Sequence, residues 1–285
     1  MYQYPPLFRV VTTYTRATAT FSLRSSIKRV AKQLETATIF DMAGDSDCSA
    51  PFRWPKAFLF GDSITQYAFS HDGCWASLVA NILQRKCDVI NRGFSGYNSR
   101  WCKKILPSVL NKNELKDAVF VTIFLGANDC ADVKINPLQH VPVDEFKNNM
   151  VEMVQILQES GLSAEQVILI GPPAVDEESW AKCCEQKDRV SSNFNKNTIH
   201  YAAACKQAAD EVGTQCIDLY TEMMKHNNWK EMLNDGLHLS NKGSCFLFSL
   251  LLPLVEELTK NLPFILPYWA DVDPNNLEML LDGIK

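Results

Sequence analysis

The chain has 285 residues, 46% of them apolar and 21% charged, which fits one large α/β domain or two small ones and excludes a disordered chain. Formal charge is −5 but unevenly placed: residues 1–40 carry a net +5 and the remainder −10, which excludes nucleic acid as a partner of the folded part. The longest apolar stretch, Cys245 to Val255, has eleven residues where about twenty are needed to cross a bilayer, so no transmembrane segment is expected.

In chain order, residues 1–41 are rich in Thr, Ser and Arg and nearly free of acid. Two readings stay open for them: a mitochondrial transit peptide, or an inert extension ahead of Met42. Residues 1–50 are expected to be a disordered extension and residues 51–285 a single domain. Lys56 to Phe60 is a short apolar run that breaks at Gly61-Asp62-Ser63, the pattern of a buried strand. Trp75 to Lys86 has helical periodicity, and Asp88 to Asn91 is a second short strand closed by Gly93 and Gly96. Arg100 to Leu110 reads as a helix with an internal Pro107, and Ala118 to Leu125 as the strongest strand of the chain. After a polar loop with Pro137 and Pro142, a helix is expected from Val143 to Glu159, then a strand over Val167 to Ile170. A long helix over Asp188 to Val212, a strand over Gln215 to Leu219, a short helix and a last helix over Lys242 to Thr259 complete the order.

Strands of four to eight residues separated by helices imply right-handed β-α-β units. The predicted fold is α/β, a three-layer α/β/α sandwich around a five-stranded parallel sheet of flavodoxin-like type. Ligands of such sheets bind at the carboxyl ends of the strands. That rule selects Asp62-Ser63, Gly93, Gly126-Ala127-Asn128 and Pro172-Pro173. Ser63 is the nucleophile candidate, and a serine hydroxyl needs a base, usually a histidine oriented by a carboxylate. Of the five histidines, His71, His140, His200 and His226 lie in turns, between prolines, in a helix and in an Asn-rich loop, and read as structural. His238 follows Asp235 by three residues, so Asp235 can bond the imidazole nitrogen that faces away from the serine. The amides of Ser63 and Gly93 and the side chain of Asn128 follow strand ends and could serve as oxyanion donors.

These strings resemble the conserved blocks of the GDSL, or SGNH, hydrolases. Phe60-Gly61-Asp62-Ser63-Ile64-Thr65 is similar to block I, Asn91-Arg92-Gly93 to block II, Gly126-Ala127-Asn128-Asp129 to block III and Asp235-Gly236-Leu237-His238 to block V. The likeness covers Pro55 to Tyr268, with Ile64 where the family name has Leu, a conservative apolar change. The stretch Asn91 to Trp101 and the string Leu266-Pro267-Tyr268-Trp269 resemble the branch of isoamyl acetate-hydrolysing esterases. The resemblance implies an ester hydrolase working through an acyl-enzyme, with Ser63, His238 and Asp235 as triad and Ser63, Gly93 and Asn128 as oxyanion hole. It implies neither metal nor organic cofactor, and it makes Asp62 a structural residue of the turn.

Rival readings lack their motifs. An α/β-hydrolase elbow would need G-x-S-x-G, but Gly93-Phe94-Ser95-Gly96-Tyr97 ends in Tyr, which leaves Ser95 a poor nucleophile. No nucleotide-binding glycine pattern follows a strand, and Ser179-x-x-Lys182 stands without companion motifs. The substrate is expected to be a small-molecule or lipid ester, acetate-type by resemblance. Lysophospholipid, thioester or acetylated-sugar hydrolysis, or an inactive binding module, are the alternatives. Phe94, Tyr97 and Trp101 are candidates for lining the pocket and equally for packing the core. The ten cysteines show no C-x-x-C and no uninterrupted apolar signal core precedes them, so they read as reduced thiols of an intracellular protein. The cytoplasm is the expected compartment, or the mitochondrion if residues 1–41 act as a transit peptide.

Overall fold

The structure is a computed structural model and describes residues 53–282. The expected extension over residues 1–50, with its two readings, lies outside the described residues. Five strands form one sheet: β1 (Lys56–Gly61), β2 (Asp88–Gly93), β3 (Ala118–Phe124), β4 (Val167–Ile170) and β5 (Gln215–Ile217), in the order β2-β1-β3-β4-β5. Every pairing is parallel. The order reverses once, between β1 and β3, which is the place where an open α/β sheet leaves a crevice for a ligand.

Alternation along the strands builds two cores. Ala57, Leu59, Phe120, Phe124, Ile168 and Ile170 point to one face, and Phe58, Phe60, Val121, Ile123, Val167 and Leu169 to the other. The first face is covered by α2 (Trp75–Ile82) and, after the second half of the chain, by α7 (Leu219–Met224) and α8 (Asn241–Thr259). The second is covered by α3 (Ser99–Val109), α4 (Val143–Glu159) and α6 (Asn195–Val212). Each fully buried Leu, Val or Phe contributes about 1.5–3 kcal/mol, so both sheet faces are firmly held. Two further helices matter for the site: α1 (Ser63–Gln66), one turn directly after β1, and α5 (Glu177–Glu185), beyond β4.

Several boundaries differ from the sequence reading. The helix expected over Trp75 to Lys86 stops at Ile82, because Arg85 takes a left-handed φ of 61° and its side chain donates to the carbonyls of Ile265, Leu266 and Pro267. The second strand runs on to Gly93, and the strand expected to reach Leu219 ends at Ile217 because Asp218 turns to cap α7 at Thr221. The long helix expected from Asp188 begins only at Asn195. Its first residues are drawn off by other partners: the Ser192 carbonyl accepts from Asp132, and Asn193 lies buried between Trp180 and Ala127. Helix α5 escaped prediction because it buries only Trp180 and Cys184, too few for a periodic pattern.

Candidate active site

Ser63 opens α1 immediately past the end of β1. The Asp62 side chain caps this turn, accepting from Ile64 N at 2.9 Å, and the Tyr67 amide donates to the Ser63 carbonyl at 3.0 Å. Two glycines let the turn sit where it does. A Cβ on Gly61 would stand 2.4 Å from the Phe124 carbonyl, and one on Gly93 would stand 2.0 Å from Gln66 N. Asn91 completes the clamp, donating to the Thr65 carbonyl at 2.7 Å and accepting from Gly93 N at 2.8 Å.

The Gly93 amide thus points to the Asn91 side chain here, and the missing Cβ of Gly93 permits the close contact of β2 with α1. Asn128, beyond β3, donates from Nδ2 to the Tyr97 carbonyl at 2.9 Å. Its only further Nδ2 contact among the described residues is Asp62 Oδ2 at 3.5 Å, too long to hold the second hydrogen firmly. Gln139 fixes the amide from behind, reaching Asn128 Oδ1 at 3.1 Å and the Gly96 carbonyl at 2.8 Å.

Across the crevice, His238 Nε2 lies 2.9 Å from Ser63 Oγ, and His238 Nδ1 lies 2.8 Å from Asp235 Oδ2. Asp235 Oδ1 accepts from the amides of Leu237 and His238 at 3.0 and 2.9 Å. The hairpin that carries the pair is closed by a bridge between Leu233 and Leu239, and Ser240 then caps α8. Gly236 rests on α5: its φ is +96°, a Cβ there would come within 2.3 Å of Trp180 N, and its carbonyl accepts from Asp176 N at 2.9 Å. Two rings stand edge-on to the imidazole, Trp180 at 5.8 Å and Tyr67 at 6.2 Å between centroids. Trp180 Nε1 donates to Asn193 Oδ1 at 3.1 Å, and Asn193 Nδ2 to the Ala127 carbonyl at 2.7 Å, which ties α5 to the loop of Asn128.

Asp235, Asp62 and Asp129 have displaced pKa values. Burial would raise Asp235, but the His238 imidazole and the amides of His238 and Leu237 outweigh it and bring the group down to about 2. Burial pushes Asp62 up to about 7 despite the Ile64 amide, and Asp129 up to about 6 despite its bond from Ser99. Asp235 thus stands ionised beside His238, while Asp62 and Asp129 belong to the buried scaffold.

The structure thus brings together Ser63, His238 and Asp235, with Asn128 on the sheet side. The other histidines lie elsewhere: His71 exposed beside Asp72, His140 on the Ala131 carbonyl, His226 edge-on to Phe246, and His200 exposed on α6. Ser95 is exposed, and among the described residues no histidine bonds it. Phe94 is wedged between Phe60 and Tyr97 at 6.0 and 5.5 Å, and Tyr97 leads on to Trp101 at 5.7 Å, all three half-buried. Among the described residues, no three His, Cys, Asp or Glu side chains converge as a metal site. Trp180, Asn193 and Gln139 were missed in the sequence, since nothing in their spacing marks them. Tyr67 could have been found, because it follows Ser63 by four residues.

The chain matches the GDSL-like lipase/acylhydrolase family over residues 59–244. It is 47% identical over 232 residues to the mouse isoamyl acetate-hydrolyzing esterase 1 homolog, covering 81% of this chain and 93% of that one. It is 35% identical over 237 residues to the isoamyl acetate-hydrolyzing esterase of Saccharomyces cerevisiae, covering 77% and 95%. Among solved structures, the lipase/acylhydrolase of Enterococcus faecalis superposes with a TM-score of 0.55 at 26% identity, over 73% of this chain and 97% of that one.

Proposed function

The chain belongs to the GDSL-like lipase/acylhydrolase family, and from that premise we propose a serine esterase in which Ser63, His238 and Asp235 act as one unit. The protein is a carboxylic ester hydrolase of acetate type, in keeping with relatives named for isoamyl acetate hydrolysis. The observation that carries the mechanism is the line of two hydrogen bonds from Ser63 Oγ through His238 to Asp235, at 2.9 and 2.8 Å.

In this reading His238 Nε2 takes the Ser63 proton as Oγ adds to the ester carbonyl carbon. The carbonyl oxygen becomes an oxyanion facing the amides of Ser63 and Gly93 and the second Asn128 hydrogen. His238 then hands the proton to the departing alkoxide, the C–O bond breaks, and an acetyl-Ser63 intermediate remains. Water repeats the cycle, with His238 again the base and Ser63 the leaving group. Asp235 keeps the imidazole in the required tautomer and steadies its charged form. Phe94, Tyr97, whose carbonyl holds Asn128, and Trp101 line the acyl side in this reading, with Phe94 and Tyr97 also packed against the core. Residues 51–285 form the catalytic domain, so a chain starting at Met42 keeps full activity in this reading. We place the protein in a reducing intracellular compartment; the cysteines of the described residues are all free.

A panel of p-nitrophenyl esters of rising acyl length tests the reading. The wild type is expected to prefer acetate over long chains, and Ser63→Ala to fall to background with an unchanged circular dichroism spectrum. A preference for long acyl chains, thioesters or acetylated sugars would move the substrate class, and turnover that survives Ser63→Ala would remove the mechanism.

A further inference from the structure

The two rings flanking His238 differ in exposure. Trp180 is 7% exposed and tied through Nε1 to Asn193, so it is a wall of the fold. Tyr67 is 48% exposed and stands outside both cores. Its place follows from the chain. It comes four residues after Ser63, at the end of the single turn α1, with its amide on the Ser63 carbonyl at 3.0 Å. At that spacing two side chains share one side of the helix, and the later one leans back toward the earlier. The segment that follows is held to the histidine hairpin, since Asn234 Nδ2 donates to Asp72 Oδ2 at 3.2 Å. The ring of Tyr67 is therefore an exposed aromatic surface beside His238, one helical turn from Ser63.

The chemistry says which part of an ester lies there. His238 must deliver its proton to the alkoxide oxygen as the C–O bond breaks, so the alcohol portion has to sit next to the imidazole. The carbonyl oxygen points the other way, toward Asn128. We propose that Tyr67 is the residue that contacts the alcohol portion of the substrate and selects esters of bulky apolar alcohols over those of small ones. This rests on the serine-esterase reading above. It also limits the effect to the first half of the reaction. Once the alcohol has left, water takes its place, and the acetyl-enzyme is the same whatever alcohol preceded it.

The test uses acetate esters of ethanol, butanol and isoamyl alcohol with the full chain, in wild type, Tyr67→Phe and Tyr67→Ala. Loss of one apolar contact should lower kcat/KM for isoamyl acetate in Tyr67→Ala by roughly tenfold or more relative to ethyl acetate. Tyr67→Phe keeps the ring and should keep the preference. A second series, with the alcohol fixed and the acyl chain varied, should show the same relative rates in Tyr67→Ala as in wild type. Equal loss on all three alcohols, equal loss in Tyr67→Phe, or a change that follows the acyl chain would each overturn the assignment. A fluorophosphonate label on Ser63 separates the two levels: label present with no alcohol discrimination refutes the role of Tyr67, whereas label absent from wild-type Ser63 refutes the esterase reading itself.

Discussion

Ser63 stands directly beyond β1, an interior strand of the sheet, while His238 stands in a hairpin with no strand of that sheet behind it. On the sheet side the means of support are backbone and core: Gly61 against the Phe124 carbonyl, Gly93 against Gln66, and a capping Asp62 that is fully buried. On the hairpin side they are a handful of specific contacts. Two amides hold Asp235, Gly236 lies on α5, and Trp180 walls the imidazole. The lesson is a division of risk. Changes to the supports of the sheet side, Gly61, Gly93 and Asp62, disturb folding and chemistry together, whereas changes in the hairpin act mainly on the chemistry.

The largest expected effect tests the hairpin side. Asp235→Asn should melt close to the wild-type temperature and yet lose up to about 10⁴-fold in kcat, because the imidazole is left in the wrong tautomer. A collapse of thermal stability in that variant would break the contrast. Next, Asn128→Ala should lower kcat by roughly 10²–10³ while KM moves little, since its second hydrogen bonds the oxyanion rather than the ester. Steady-state kinetics read both constants.

A pair of glycine substitutions sharpens the comparison further. Gly236→Ala forces the hairpin off α5, and a displacement of about 1 Å at His238 should cost on the order of 10² in kcat with most of the stability kept. Gly93→Ala drives a Cβ into the backbone of α1, so its main effect should be a lowered melting temperature or insoluble protein.

The smallest effect is in the pH dependence of stability, and there the two regions have opposite signs. Asp62 and Asp129 keep their protons in the folded state up to about 7 and about 6, against 3.8 when unfolded. Between those values the folded chain binds more protons than the unfolded one, so the sheet side loses stability as pH rises through this window. Asp235, brought down from 3.8 to about 2, contributes stability above 3.8 and loses it as pH falls toward 2. Asp129→Asn should flatten the decline between pH 4 and about 6 in thermal melts, whereas Asp235→Asn should leave it unchanged.

The same contrast explains what could be read from the sequence. The sheet side was legible because Lys56 to Phe60 and Ala118 to Leu125 are continuous apolar runs ended by glycine or polar turns, which places Ser63 and Asn128 at strand ends. Asp235 and His238 were legible because the bonded pair is local, three residues apart. What holds the hairpin was not legible. Helix α5 buries two residues, and Trp180, Asn193 and Ala127 meet only through the fold. The bond between the Gly93 amide and Asn91 is not legible either: the side chain folds back onto its own strand end, a contact that no linear pattern announces.

The central claim is that Ser63 is activated by His238. It is tested most directly by the rate of fluorophosphonate labelling as a function of pH, with the adduct mapped, in wild type, Ser63→Ala, His238→Ala and the double variant. The account predicts one adduct, on Ser63, absent from Ser63→Ala, with a rate that rises with pH in wild type because a general base must be unprotonated to take the serine proton. In His238→Ala that rise should vanish, and the double variant should turn over ester little worse than either single one, because the residues act as a unit. Labelling that persists in Ser63→Ala or maps to Ser95, or an alkaline rise that survives in His238→Ala, would contradict it.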